Sequence, residues 1–410
     1  MIVERIVVTG LGVVSALGAG REAFWRSLAA AASGLRPLSL FDPRMGRSRL
    51  AGEIPEFSPA PFIGTKGVRH HDRTALLLAC AAKLALDDAG IPRSEPPVRD
   101  DQIGIAVGST YGSIGSIAAF DTEALREGPS YVNPMEFPNT VLNAPASRVS
   151  ILLGVTGPNA TISTGEASAL DAIGYAADFL RLGRAGAMLA GGVFGLSEDV
   201  YRGFAGTGAL SGTRGDEELC APFDRRRNGL VLGEAGCLLF LEPLARAQAR
   251  GARIYGEVTG YGNGFRPRTG DPVASGRRVL QAALARAGRS PGDVSCVFGG
   301  ASSSPAGDRL EAHTLRATFA GLATPPVTAV KSMCGECLDA SGALQAAAAL
   351  LALHEQVVPP TINHQVADDE CGVDCVPNAA RRMEVRETLV TASSYAGHCS
   401  ALLLSAGPDA

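Results

Sequence analysis

The sequence predicts an α/β protein with buried sheets, arranged as two similar portions. Val- and Ile-rich runs with the character of buried strands alternate along the whole chain with Ala- and Leu-rich runs at helical spacing. Gly and Pro punctuate nearly every junction, as at Gly90, Gly157-Pro158, Gly251 and Gly288. The chain has 410 residues, 46% apolar and 19% charged. That is enough for a large core and for two or three units at roughly 100–200 residues per domain.

The first residues, Met1 to Gly10, alternate into a short apolar strand rather than the basic and apolar regions of a signal peptide, so the chain reads as cytoplasmic. Gly10 and Gly12 follow in the manner of a dinucleotide-binding turn, but Ser15 stands where the third glycine is required, and that reading is set aside. The spacing predicts helices over Leu76 to Ala89 and Ala167 to Leu182, and strands over Ile103 to Val107 and Ile254 to Val258. Between the last two, Glu242 to Arg253 reads as an Ala- and Arg-rich helix dividing two portions that each alternate strand and helix. The halves expected are 1–251 and 252–410, packed on each other rather than independent.

Composition excludes several functions. A formal net charge of −4 with no long basic tract argues against nucleic acid and anionic membranes. No run of about 18 uninterrupted apolar residues is present to span a bilayer. Of nine cysteines, Cys334 and Cys337 with Cys371 and Cys375 form two pairs that could supply four thiolates to zinc. Both pairs lie in segments that another pattern explains, so no metal is expected and reduced thiols are the preferred reading. His70 and His71, in a basic and polar stretch, read as a solvated face.

That other pattern is a resemblance. The opening Ile6 to Gly18 resembles the start of β-ketoacyl-(acyl carrier protein) synthases of the type II elongating class. Further matches follow in the family's order: Gly157-Pro-Asn159, Ala221 to Gly229, Val231 to Glu234, Ser304 to Asp308, Ala329 to Met333 and Ser394 to Gly397. The resemblance implies a thiolase-like fold: two related α/β halves in five layers, α-β-α-β-α, with dimerisation through the first half. In active members a cysteine at the amino end of a buried helix is the nucleophile, and two histidines support decarboxylation and condensation.

Position by position, the resemblance places Glu166 at the nucleophile, Gly300 at the first histidine and Glu336 at the second. A carboxylate cannot hold an acyl chain as a thioester, so no catalytic residue is expected. Asp308, Glu311 and Lys331 match the supporting charged network, and Lys331 is one of only three lysines. This combination is similar to the chain length factor, or ketosynthase beta subunit, of bacterial type II polyketide synthases. Those proteins carry glutamine rather than glutamate at the nucleophile position. Such a subunit binds no cofactor. It pairs with an active ketosynthase that supplies the missing groups, receives the chain from an acyl carrier protein, and shapes the tunnel that sets polyketide or polyene length.

The resemblance makes Ile114, Ile117, Ala118 and Phe120 the tunnel-gate candidates, and Lys66 and Arg69 the carrier-docking candidates. Two alternatives stay open. Glu166 and Glu336 in one cavity could not both ionise easily, which would leave one as a general acid for a decarboxylase or lyase. The fold could also serve as a structural or regulatory homodimer.

Overall fold

Ten strands form one path of hydrogen-bonded neighbours in this computed structural model, which describes residues 4–43, 47–91, 102–267 and 269–407. The first five are β1 (Ile6–Ser15), β2 (Ile103–Gly108), β3 (Asn159–Ile162), β4 (Ala187–Phe194) and β5 (Ala235–Pro243), in spatial order β3-β2-β4-β5-β1. The second five are β6 (Gly256–Phe265), β7 (Cys296–Phe298), β8 (Val327–Thr328), β9 (Glu387–Ser393) and β10 (His398–Ser405), in the order β8-β7-β9-β10-β6. The second order is the first with every number raised by five. In both sets the three outer strands run parallel and the inner two antiparallel. Only two residue pairs, Val7 with Glu257 and Val8 with Gly256, join the sets across β1 and β6.

Among the described residues, eight helices of ten residues or more complete the frame: α1 (Arg73–Asp88), α2 (Ile114–Glu127), α3 (Ala144–Leu153), α4 (Ser168–Arg181), α5 (Glu198–Thr207), α6 (Pro272–Arg286), α7 (Pro305–Thr318) and α8 (Ser341–Glu355). α1 covers the outer face of the first set and α6 that of the second, while α4 and α8 touch strands of both. The layers therefore run helix, sheet, helix, sheet, helix. Three clusters of buried side chains follow from this, with the largest around α4 and α8 and one beneath each outer helix layer. From Ser341 to Leu353 every residue of α8 is buried, and its Ala-rich sequence lets neighbours approach from all sides.

β1 shows how the sequence sets the packing. Ile6 and Val8 face the central cluster, as do Leu11 and Val13 after a register shift between Val8 and Gly10. The bulge restores the inward phase that a two-residue period would otherwise lose. The Gly10 and Gly12 pair belongs to the same packing. A side chain at Gly12 would come within 1.8 Å of the Ala81 carbonyl, and one at Gly10 within 2.2 Å of that of Ala85, so the glycines let α1 lie directly on the strand.

Several predicted elements shift. The helix expected over Glu242 to Arg253 is confined to Leu244–Ala249. Glu242 belongs to β5, where its buried carboxylate accepts from Thr9 Oγ1 at 2.6 Å and from Arg250 Nε at 3.0 Å. The strand expected over Ile254 to Val258 starts at Gly256 and extends to Phe265. The four paired cysteines do not converge: Cys334 and Cys337 lie in the central cluster, Cys371 and Cys375 in the outer cluster of the second half. No helix among the described residues is long and apolar enough to cross a membrane.

Candidate functional site

β3 delivers the chain into a tight turn before α4. Ser168 Oγ accepts the Thr164 amide at 2.8 Å, and Gly165 takes φ +66°, where an added side chain would meet Ser394 Oγ at 2.2 Å. Glu166 follows with 5% of its surface exposed, and its Oε2 accepts the Tyr395 amide at 3.2 Å. Burial raises the Glu166 carboxyl, and the Glu336 charge adds to this; its own backbone amide, the Ser394 hydroxyl and Lys331 oppose the shift.

Glu336 has a different environment. Its Oε2 accepts from Lys331 Nζ at 2.8 Å, and its Oε1 accepts from Ser341 Oγ at 2.7 Å and the Leu338 amide at 3.1 Å. Both partners of this ion pair are buried. Burial would depress the Lys331 ammonium, but the charge and hydrogen bond of Glu336 outweigh it and the net shift is upward. Lys331 Nζ also donates to the Gly300 carbonyl at 2.9 Å, and the Gly300 amide donates to Glu311 Oε1 at 2.7 Å. Of the three positions expected to lack catalytic groups, Gly300 and Glu336 are thus bound into one polar frame with Lys331 and Glu311, while Glu166 reaches it through its charge.

Asp308, fully buried at the start of α7, accepts from the amides of Ser302 at 2.9 Å, Phe223 at 3.1 Å and Ser303 at 3.2 Å. Ser303 and Phe223 hold left-handed backbone at φ 71° and 62°, so the carboxylate anchors two strained residues. Burial lifts the Asp308 carboxyl to about 7 against the Phe223 and Ser302 amides and the Arg227 charge.

Two pockets meet here. One is lined by Gly300, Asp308, Glu311 and Glu336 among others. The other, a cleft of about 790 Å³, is lined by Glu166 with Tyr111, Ile114, Val200 and Phe204. Ser394 and Tyr395 line both and stand between them. The expectation that Glu166 and Glu336 share one cavity is therefore corrected: they sense each other's charge, but they open into separate pockets, and Glu336 is neutralised by Lys331.

Of the gate candidates, Ile114 lines the cleft beside Glu166. Ile117, Ala118 and Phe120 lie further along α2, a helix with no buried residue; Phe120 faces Phe137 at 6.3 Å between ring centroids. Lys66 and Arg69 are exposed, and neither forms an ion pair among the described residues. His71 differs from its neighbour His70: both its ring nitrogens are buried without a partner, and burial lowers its affinity for a proton, so the solvated-face reading fails for it. His398 stacks edge-on against Phe265 at 5.2 Å, and the Cys399 thiol is pushed up by burial.

Two residues of the site were not singled out from the sequence. Tyr395 is 55% exposed, its hydroxyl reaches Ser302, and it lines both pockets. Asp339 is fully buried, and its Oδ2 accepts the amides of Thr110 at 2.5 Å and Tyr111 at 3.2 Å. An acidic residue three positions after Glu336 was the available signal for the second.

Comparison with known proteins extends this picture. Residues 3–247 match the model of the beta-ketoacyl synthase N-terminal domain and residues 255–365 that of the C-terminal domain. The chain is 34% identical over 410 residues to 3-oxoacyl-(acyl-carrier-protein) synthase 2 of Coxiella burnetii, covering 98% of both chains. It is 35% identical over 408 residues to the Synechocystis protein of the same name, covering 96% of both. Among solved structures, the ishigamide ketosynthase/chain length factor is similar with a TM-score of 0.92 and 31% identity, over 99% of this chain and 100% of that one. A type II polyketide synthase ketosynthase in complex with its acyl-carrier protein is similar at TM-score 0.88 and 27% identity, over 99% and 100%.

Proposed function

The chain belongs to the beta-ketoacyl synthase family, and from that premise we propose that it is a non-catalytic chain length factor, paired with an active ketosynthase and shaping the tunnel that the growing chain enters. The observation that carries this reading is Glu166, a buried carboxyl on the turn where the family's nucleophile stands. Without a sulfur there, no acyl thioester forms on this chain. The ion pair of Lys331 with Glu336 supports it further: the second histidine position holds a fixed, neutralised carboxylate instead of a group able to donate to a developing oxyanion. The similarity to a ketosynthase/chain length factor structure favours the same reading.

The surface is also suited to pairing. No residue of α2 is fully buried within this chain, and Leu125, Tyr131, Met135, Phe137, Val141 and Ile151 are exposed apolar residues on or after it. A partner covering them would place Ile117, Ala118 and Phe120 in an interface and leave Ile114 on the cleft. The acyl chain would arrive on an acyl carrier protein docked mainly through the partner, with Lys66 and Arg69 as a secondary basic contact. No cofactor enters this scheme.

The decisive test is elongation of labelled malonyl units on carrier protein by this chain alone, by its ketosynthase partner alone, and by the co-expressed pair, with native mass spectrometry of each. The expected result is elongation only by a 1:1 heterodimer. Turnover by this chain alone would overturn the proposal and redirect attention to Glu166 as an acid.

A further inference from the structure

We infer that Asp339 is a specificity-determining positioning residue, which fixes the wall of the cleft beside Glu166 from the opposite half of the molecule. The inference rests on the chain-length reading above. Asp339 precedes α8, in the second half of the chain, yet its one partnered oxygen serves the first half: Oδ2 takes the amides of both Thr110 and Tyr111. These two residues, with Ile114, line the cleft. Thr110 Oγ1 in turn accepts the Gly165 amide at 3.0 Å and lies 3.2 Å from Ser168 Oγ, so the same bonds extend to the turn that presents Glu166. Tyr111 is held on its other side by Phe194, edge-on at 5.8 Å.

A purely structural carboxylate would be expected to use both oxygens. Oδ1 of Asp339 is buried and has no partner, although the residue is fully enclosed. Burial raises the carboxyl to about 7, against the Thr110 and Tyr111 hydrogen bonds and with the Glu166 charge adding to the rise. The proton of the neutral form would sit on the unpartnered Oδ1, leaving Oδ2 to accept both amides. The neutral acid is then isosteric with an asparagine amide. The titratable groups whose charges meet at this wall are Glu166 on the nucleophile turn, Tyr111 on the cleft wall and Glu336 on the same segment as Asp339.

The test uses the intact heterodimer with Asp339→Asn and Asp339→Ala, reading the distribution of product lengths at about pH 6 and about pH 8, on either side of the titration. Asp339→Asn is expected to give the wild-type distribution of the lower pH at both values. Asp339→Ala is expected to shift the ratio of longer to shorter products by about tenfold, the low end of what a one-methylene misfit discriminates. A lowered melting temperature with unchanged product lengths in Asp339→Ala would make the residue merely structural and overturn the inference. If Asp339→Ala fails to assemble, the pH response decides: a wild-type distribution that shifts between the two pH values while that of Asp339→Asn stays fixed supports the inference, and identical responses overturn it. Failure of the wild-type pair to elongate at all would instead sink the chain-length reading itself.

Discussion

At the residue scale, the two glutamates that the sequence treats alike behave differently because their neighbours differ. Glu336 has a cation and two further donors; Glu166 has the Tyr395 amide, its own amide and the Ser394 hydroxyl but no ion-pair partner among the described residues, and a raised affinity for its proton. A carboxyl whose folded affinity is raised contributes stability that is complete below its unfolded value of about 4.3 and is lost as pH rises through the folded value. Glu166→Gln, which cannot ionise, should therefore match the wild type near pH 4 and exceed it by about 1–2 °C in melting temperature at neutral pH, by scanning fluorimetry. A lower melting temperature than the wild type at neutral pH, fading toward low pH, would mean instead that the helix terminus stabilises the charge. Lys331→Met leaves Glu336 as an uncompensated buried charge and should cost about 3–5 kcal/mol in urea unfolding. The double variant Lys331→Met/Glu336→Gln should recover most of that loss.

The same scale shows where sequence reading stops. Glu166, Gly300 and Glu336 were legible because ordered motifs flank each of them. Asp339 was not, because its meaning lies in two amides more than two hundred positions away. Nor was the burial of His71, which shares its local composition with the exposed His70 and differs only in which way its ring faces. The separation of Glu166 from Glu336 depends on where Tyr395 puts its ring, which spacing does not encode.

Among the elements, periodicity located α1 and α4 to within a few residues, since each presents an apolar face over several turns. It misplaced the stretch from Glu242 to Val258 because Glu and Arg there serve a buried clamp, Glu242 with Arg250, rather than a helix surface. α2 is the element on which gate candidates were expected, and its exposure in the single chain sets their energetics. Phe120→Ala should cost the isolated chain only about 1 kcal/mol, the scale of its contact with Phe137. In the heterodimer it should lengthen the products, as mass spectrometry of the released chains would show. An equal stability loss in both states would mean that no partner covers α2. By contrast Gly12→Ala, which forces α1 from β1, should destabilise the isolated chain by about 1–3 kcal/mol in denaturant titration.

For the whole molecule, the resemblance implied five layers and five are found, with two matched halves covering both faces of each sheet. What the sequence does not carry is that the apolar side chains of α2 and the segment after it stay exposed in the single chain. Ile151, 70% exposed on α3, offers a test at this scale. Ile151→Asp should leave the stability of the isolated chain within about 0.5 kcal/mol while weakening heterodimer formation in analytical ultracentrifugation. Unaltered association would move the interface elsewhere.

The repeated strand order has a consequence for how the polypeptide could be assembled. Each half closes its own set of five strands, yet α4 and α8 lie between the sets, so a lone half would expose one face of its own central helix. The connection at Gly251 is exposed, a side chain there would meet nothing within 4 Å, and it follows the Arg250 clamp without taking part in it. Two polypeptides ending and starting at that point should each be sticky alone and complement one another when mixed, with the apolar seam of α4 and α8 as the adhesive that selects the correct mate.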